Sequence, residues 1–302
     1  MNTDHFRVPA WSWINTLSLD AVCIGLFWMT LVTRVHCNRW PSFAEASVIG
    51  LSIWLAYTAD RLLDSLKLDI SRPHTLRHRI HLEYRRPFVA FWIMALLANT
   101  YLIMYYATSE QLRWGYAGVA VVIAYIASAH LAQTRIRASR GWSIPKELQA
   151  GMVFAMGVSF VAWTEQNQPA SISLVTISVT LGLLFSLNCF AVASWEDDLD
   201  AQQRFPSWVT RFPSGPRWLP KTVLAHAAAT VLLAIIGALP LAVAGCAIAS
   251  GLLMRLLLSH SNSNTSPETS KQLVQWRSVG LIADAAIVLP PLAWILIVAG
   301  IQ

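Results

Sequence analysis

Nine runs of mainly apolar residues, each roughly 18 to 25 long, dominate this chain and leave few folds open to it. They cover 14–33, 43–66, 87–108, 112–133, 147–164, 171–194, 218–238, 240–258 and 277–299. That is the length at which an α-helix crosses the hydrocarbon core of a bilayer, and a helix satisfies its own backbone polar groups there. The seventh and eighth runs are parted only by 237–240, so their boundary is soft. Of the 302 residues 55% are hydrophobic and 13% charged, about half the charged fraction usual in a soluble domain. Too few polar groups remain to cover the outside of a water-soluble core, so lipid must cover it. The first run is too long for a signal-peptide core and no small-residue cleavage motif follows it, so it reads as a retained helix. The expectation is one all-α, polytopic membrane domain over 1–302.

Lys and Arg sit almost entirely between the runs. If the N-terminus is cytoplasmic, 18 of the 22 fall in inward segments, and only Arg34, Arg39 and Arg113 face out. Positive residues favour the cytoplasmic side, so the expected topology is N-terminus in and C-terminus out, in a bacterial inner membrane. The net charge of +6 is thereby assigned to topology and anionic headgroups, with no nucleic-acid partner. Cys23, Cys37, Cys189 and Cys246 have no CxxC spacing, which argues against a zinc site or a disulfide framework.

Two runs end on that inward side with carboxylates. The second ends Tyr57-Thr-Ala-Asp60-Arg61-Leu-Leu-Asp64, followed by Lys67 and Asp69; the sixth ends Asn188 to Trp195-Glu196-Asp197-Asp198-Leu-Asp200. Asp60 and Asp64 stand four apart on one helix face, and Glu196 and Asp200 repeat the spacing. Acids at a membrane boundary are costly unless paired or bound to metal, and Mg²⁺ joining carboxylates to a phosphorylated substrate is one reason to keep them. Ordinary interfacial acids facing water are the plain alternative, less persuasive for two matching ends than for one.

In helix count and in these two motifs the chain resembles the UbiA-type intramembrane prenyltransferases, a family with nine transmembrane helices and acidic motifs on helices two and six. Against the family pattern NDxxDxxxD, Asp60 takes the Asn position, Arg61 the first Asp and Asp64 the second; the third falls on Leu68, with Asp69 one residue late. Glu196 and Asp200 match the spacing of the second motif, DxxxD. The resemblance implies a UbiA-like bundle, Mg²⁺ as cofactor, a polyprenyl diphosphate donor and an aromatic or other lipophilic acceptor. It makes Asp60, Asp64, Glu196 and Asp200 the catalytic and metal-binding carboxylates, with Asp197 as a further ligand and Asp69 in reserve. Arg61 departs from the pattern: its guanidinium either grips diphosphate directly or pairs with Asp64 and removes that ligand.

Basic residues of the connecting segments complete the expected site. Arg77, Arg79 and Lys146 are carried over as diphosphate binders, joined by Arg61 and Asn188, although the topology rule alone would also place basic residues there. His74, His78 and His81 have the spacing of a metal-binding helix face, but neighbouring arginines weigh against a cation. Asp20 and Asp284, deep within apolar runs, must face the bundle interior or a cavity; Asn99, Asn188 and His130 read first as interhelical hydrogen-bond partners, and Trp195 as a wall of an apolar tunnel. Three other functions fit the same sequence: a terpene cyclase that ionises the isoprenoid without an acceptor, a carrier with an ion path through Asp20, Asp60, Arg61 and Asp284, and a non-catalytic lipid-binding protein.

Overall fold

The computed structural model describes residues 12–136, 144–165, 171–205, 207–263 and 279–301. All regular structure among them is helical, in thirteen segments. Four are short: α1 (Ser12–Thr16), α4 (Leu76–Glu83), α9 (Asp197–Gln203) and α10 (Trp208–Arg211). The nine with 18 or more residues are α2 (Leu19–His36), α3 (Phe43–Ser65), α5 (Arg85–Tyr106), α6 (Ser109–Ile136), α7 (Lys146–Trp163), α8 (Ile172–Trp195), α11 (Gly215–Ile235), α12 (Leu241–Ser263) and α13 (Val279–Ile301).

Among the described residues, seven of these are long and apolar enough to cross a membrane: α2, α5, α6, α8, α11, α12 and α13. The other two, α3 and α7, are more polar because they bring Glu45, Asp60, Arg61, Asp64, Lys146 and Glu147 into the bundle. The first apolar run is divided. Ser18 adopts the left-handed conformation at φ 57°, parting α1 from α2, and the Trp54 indole donates to the carbonyl of Leu17 across the break at 3.0 Å. Between α11 and α12 the soft boundary becomes a definite turn at Gly237, whose φ of 71° suits a residue without Cβ.

The centre of the bundle is α8, which packs on α7, α11, α12 and α13 and buries Leu174, Ile177, Leu181, Leu184 and Phe185. Its neighbour α2 inserts Trp28, wholly buried, whose indole donates to the carbonyl of Ile287 on α13 at 3.0 Å. Helices α5 and α6 bury little of their length and present Phe91, Met94, Leu97 and Tyr116 outward. A lipid environment suits such faces, which in water would be an aggregation hazard. Across the bundle from the acidic ends, the Arg39 guanidinium is bound by Glu45 at 2.7 Å and Glu165 at 2.8 Å, joining the α2–α3 turn to the end of α7.

Candidate functional site

The last two turns of α3 carry Asp60, Arg61 and Asp64. His130 of α6 lies between the two acids, its Nε2 2.9 Å from Asp60 and its Nδ1 3.7 Å from Asp64. The Lys67 ammonium stands 3.2 Å from the same Nδ1. Since an ammonium has only donors, Nδ1 accepts and the Nε2 proton is directed at Asp60. The carboxylates are deep in the bundle yet still reached by water, with side-chain exposures of 27% for Asp60 and 22% for Asp64, as expected of residues lining a recess.

The second acidic end converges on the same recess. Glu196 closes α8 and pairs with Arg77 of α4 at 2.5 Å, and Asp200 follows on α9. Arg61 is within electrostatic reach of Asp60, Asp64 and Glu196; Lys146, the first residue of α7, is within reach of Asp60, Asp64 and Asp200. Asp64 and Asp200 also sense each other. Among the described residues neither Arg61 nor Lys146 makes a direct hydrogen bond or ion pair, although both are within electrostatic reach of acids from the two helix ends and Lys146 also of Glu147.

The connectors hold the two ends together. The Gln203 side chain accepts from the Asp69 N–H at 3.0 Å and donates to the carbonyls of Asp69 at 3.0 Å and Pro73 at 2.9 Å, while Arg72 donates to the carbonyl of Gln202 at 2.7 Å. This clamp fastens α9 to the chain leaving α3. The segment after that clamp, expected to be a loop, forms the helix α4, which buries Arg77, His78, Ile80 and His81. Burial pushes His81 down to about 4, with Arg61 and Arg77 adding repulsion against the backbone hydrogen bond to Arg77; burial and Arg77 likewise hold His78 well below its usual value. Both imidazoles are therefore neutral at pH 7 and offer lone pairs beside the cations. His81 donates from Nδ1 to the Arg77 carbonyl at 2.8 Å, and its buried Nε2 has no hydrogen-bond partner among the described residues.

Several expected site residues point elsewhere. Arg79 lies on the exposed face of α4, 3.9 Å from Glu83, while Arg77 enters the recess. Asn188 donates to Asp284 at 2.9 Å, within a deeper cluster where Asp20 accepts from Asn15 at 2.5 Å and from the Ala21 N–H at 2.8 Å. Asp69 turns into its own loop, where hydrogen bonds from Ser71 hold its carboxyl below the usual range and Arg72 pairs with it at 2.9 Å. Asp197 sits at the edge, 3.5 Å from the Ser207 hydroxyl, its carboxyl raised by burial and by Asp198. His74 bonds the carbonyl of Arg72 at 2.7 Å. Among the described residues no three His, Cys, Asp or Glu side chains form a ready-made metal cage.

A chain of aromatic rings runs from α3 into the core. Tyr57, one turn before Arg61, packs edge-on against Phe154 at 6.0 Å; Phe154 meets Phe185 at 5.0 Å, and Phe185 meets Trp28 at 6.0 Å. Tyr125 of α6 is within electrostatic reach of Asp60 and Asp64. No family model, curated protein or solved structure matches this chain.

Proposed function

We propose that the protein is an intramembrane prenyltransferase with nine spanning helices, its acidic ends on the cytoplasmic side. It would move the prenyl group of a polyprenyl diphosphate to an aromatic or other lipophilic acceptor. The observation that carries this reading is the pair of cations Arg61 and Lys146, both within electrostatic reach of acids from two helix ends. Cations in a recess without direct partners favour an anion, and the surrounding carboxylates make room for a divalent ion beside it.

The donor set fits Mg²⁺. That ion takes one or two carboxylates and completes its shell with phosphate oxygens and water, so a full protein cage is not required. Among the described residues Asp60, Asp64 and Asp200 have no short cationic partner, and with Glu196 they would hold it. Bound there, Mg²⁺ would neutralise charge on the leaving diphosphate. Arg61, Lys146 and Arg77 would grip the diphosphate oxygens as the carbon–oxygen bond breaks. Tyr57 and Phe154 would face the allylic cation with their ring faces and keep water from it.

The test is diphosphate release by purified protein from a panel of prenyl diphosphates, with and without Mg²⁺ and aromatic acceptors. The Asp64→Ala, Glu196→Ala double variant is expected to lose about a hundredfold or more in rate. Undiminished release would remove the assignment, and protonophore-sensitive solute flux in vesicles without turnover would favour a carrier instead.

A pH dependence follows from Asp200, whose carboxyl is pushed up to about 7 by burial, against the pull of Lys146. Below that value the acid is neutral, and a cation must displace its proton to bind. Apparent Mg²⁺ affinity is therefore expected to weaken as pH falls through 7, by roughly tenfold per unit, and Asp200→Asn to flatten the dependence. A wild-type titration with no slope in this range would contradict it.

A further inference from the structure

On the outer surface of the bundle, α1, α2, α3 and α5 enclose an apolar groove of about 920 Å³ that includes Leu19, Leu26, Phe43, Trp54, Phe91 and Met94. It is separate from the polar recess and opens sideways, where α5 contacts little except α3 and α4. Along α5 it runs from Pro87 to Ala98 and along α3 from Trp54 to Phe43, the residue that opens α3 at the end opposite the acids, so it crosses most of the bundle.

At the end nearest the recess the groove meets a second depression through Tyr84 and Pro87, which line both. This depression carries Arg85 and Arg86, exposed in the first turn of α5, and neither makes a hydrogen bond or ion pair among the described residues. Its acid, Glu83, is engaged by Arg79 at 3.9 Å. The N-terminal end of a 22-residue helix adds positive potential at the same place. Trp13 and Tyr84 flank this end, where amphipathic rings lie at headgroup level.

We propose that this surface binds one anionic phospholipid, an acyl chain lying in the groove and the phosphate between Arg85 and Arg86. Two exposed arginines beside the apolar groove select an anionic lipid headgroup over a zwitterionic one. The site is independent of the transferase reading, so Arg85→Gln, Arg86→Gln is expected to leave diphosphate release unchanged.

The experiment titrates delipidated full-length protein with phosphatidylglycerol and with phosphatidylcholine of the same acyl chains, counting bound lipid by native mass spectrometry. One phosphatidylglycerol should bind in preference, and Arg85→Gln, Arg86→Gln should weaken it roughly tenfold, to the level of phosphatidylcholine. Ala95→Trp, which puts a ring into the groove, should weaken both lipids; if that variant fails to fold, the exposed arginine pair still decides. Equal binding of the two lipids by the wild type, or no response to the arginine changes, overturns the proposal. So does displacement of phosphatidylglycerol by farnesyl diphosphate, which would assign the groove to the isoprenoid.

Discussion

Lys146→Ala is expected to lower kcat/KM for diphosphate release by roughly a hundred- to a thousandfold, the range seen when one preorganised donor to a developing anion is removed. Lys146 opens α7, so its ammonium and the positive end of the helix act at the same point. It is within electrostatic reach of Asp60, Asp64 and Asp200, and among the described residues it makes no direct hydrogen bond or ion pair. Arginine keeps the charge but brings a longer, planar head, so Lys146→Arg should recover part of the rate. Arg61→Ala is expected to be severe as well, and the double variant less than additive, because both cations would hold one ligand. Steady-state kinetics at saturating Mg²⁺, with an unchanged gel-filtration profile, check this; an unaltered kcat/KM for Lys146→Ala would show that the ammonium only balances its neighbours.

The long helices were legible in the sequence because bilayer thickness sets their length. The expected run 43–66 is α3, Phe43–Ser65, and the run 171–194 is α8, Ile172–Trp195. The short helices of the connectors were not, since α4 is only eight residues long and its mixed apolar, basic and histidine pattern reads as a loop. Helical phase there separates what composition merges: Arg77, His78 and His81 share the buried face, and Arg79 falls on the other. The acidic motifs of α3 and α8 were visible as local spacings. His130 lies 70 residues from Asp60, and Gln203 lies 134 from Asp69, contacts that only the packing of α6 and α9 creates. An interhelical hydrogen-bond partner was the expectation for His130; the structure makes the carboxylates of the site its partners. Ser18 carries no local signal of the break it makes, which the Trp54 indole supports from another helix.

Gly151→Ala is expected to destabilise the protein more than its single added methyl group suggests. A Cβ at this position would lie 2.3 Å from the backbone nitrogen of Ser186 and 2.6 Å from its Cα, so α7 and α8 are in contact there backbone to backbone. Small residues permit such approach between membrane helices, and this pair is the most extensively packed in the bundle. Relief requires the helices to separate, because a backbone cannot rotate out of the way as a side chain can. Overpacking of this kind costs about 1–3 kcal/mol, and a lower midpoint of thermal unfolding in detergent measures it. Ser186→Gly should not rescue the variant, since the main-chain nitrogen of Ser186 is as close as its hydroxyl and its Cα follows. Gly157 of the same helix has nothing within 4 Å of its would-be Cβ, so Gly157→Ala is the control expected to be neutral or slightly stabilising. Because α7 begins at Lys146 and α8 ends at Trp195, next to Glu196, parting them at Gly151 also widens the recess. Gly151→Ala should then raise KM for the prenyl diphosphate even at temperatures where the protein remains folded; equal melting of the Gly151 and Gly157 variants would contradict the close approach on which this rests.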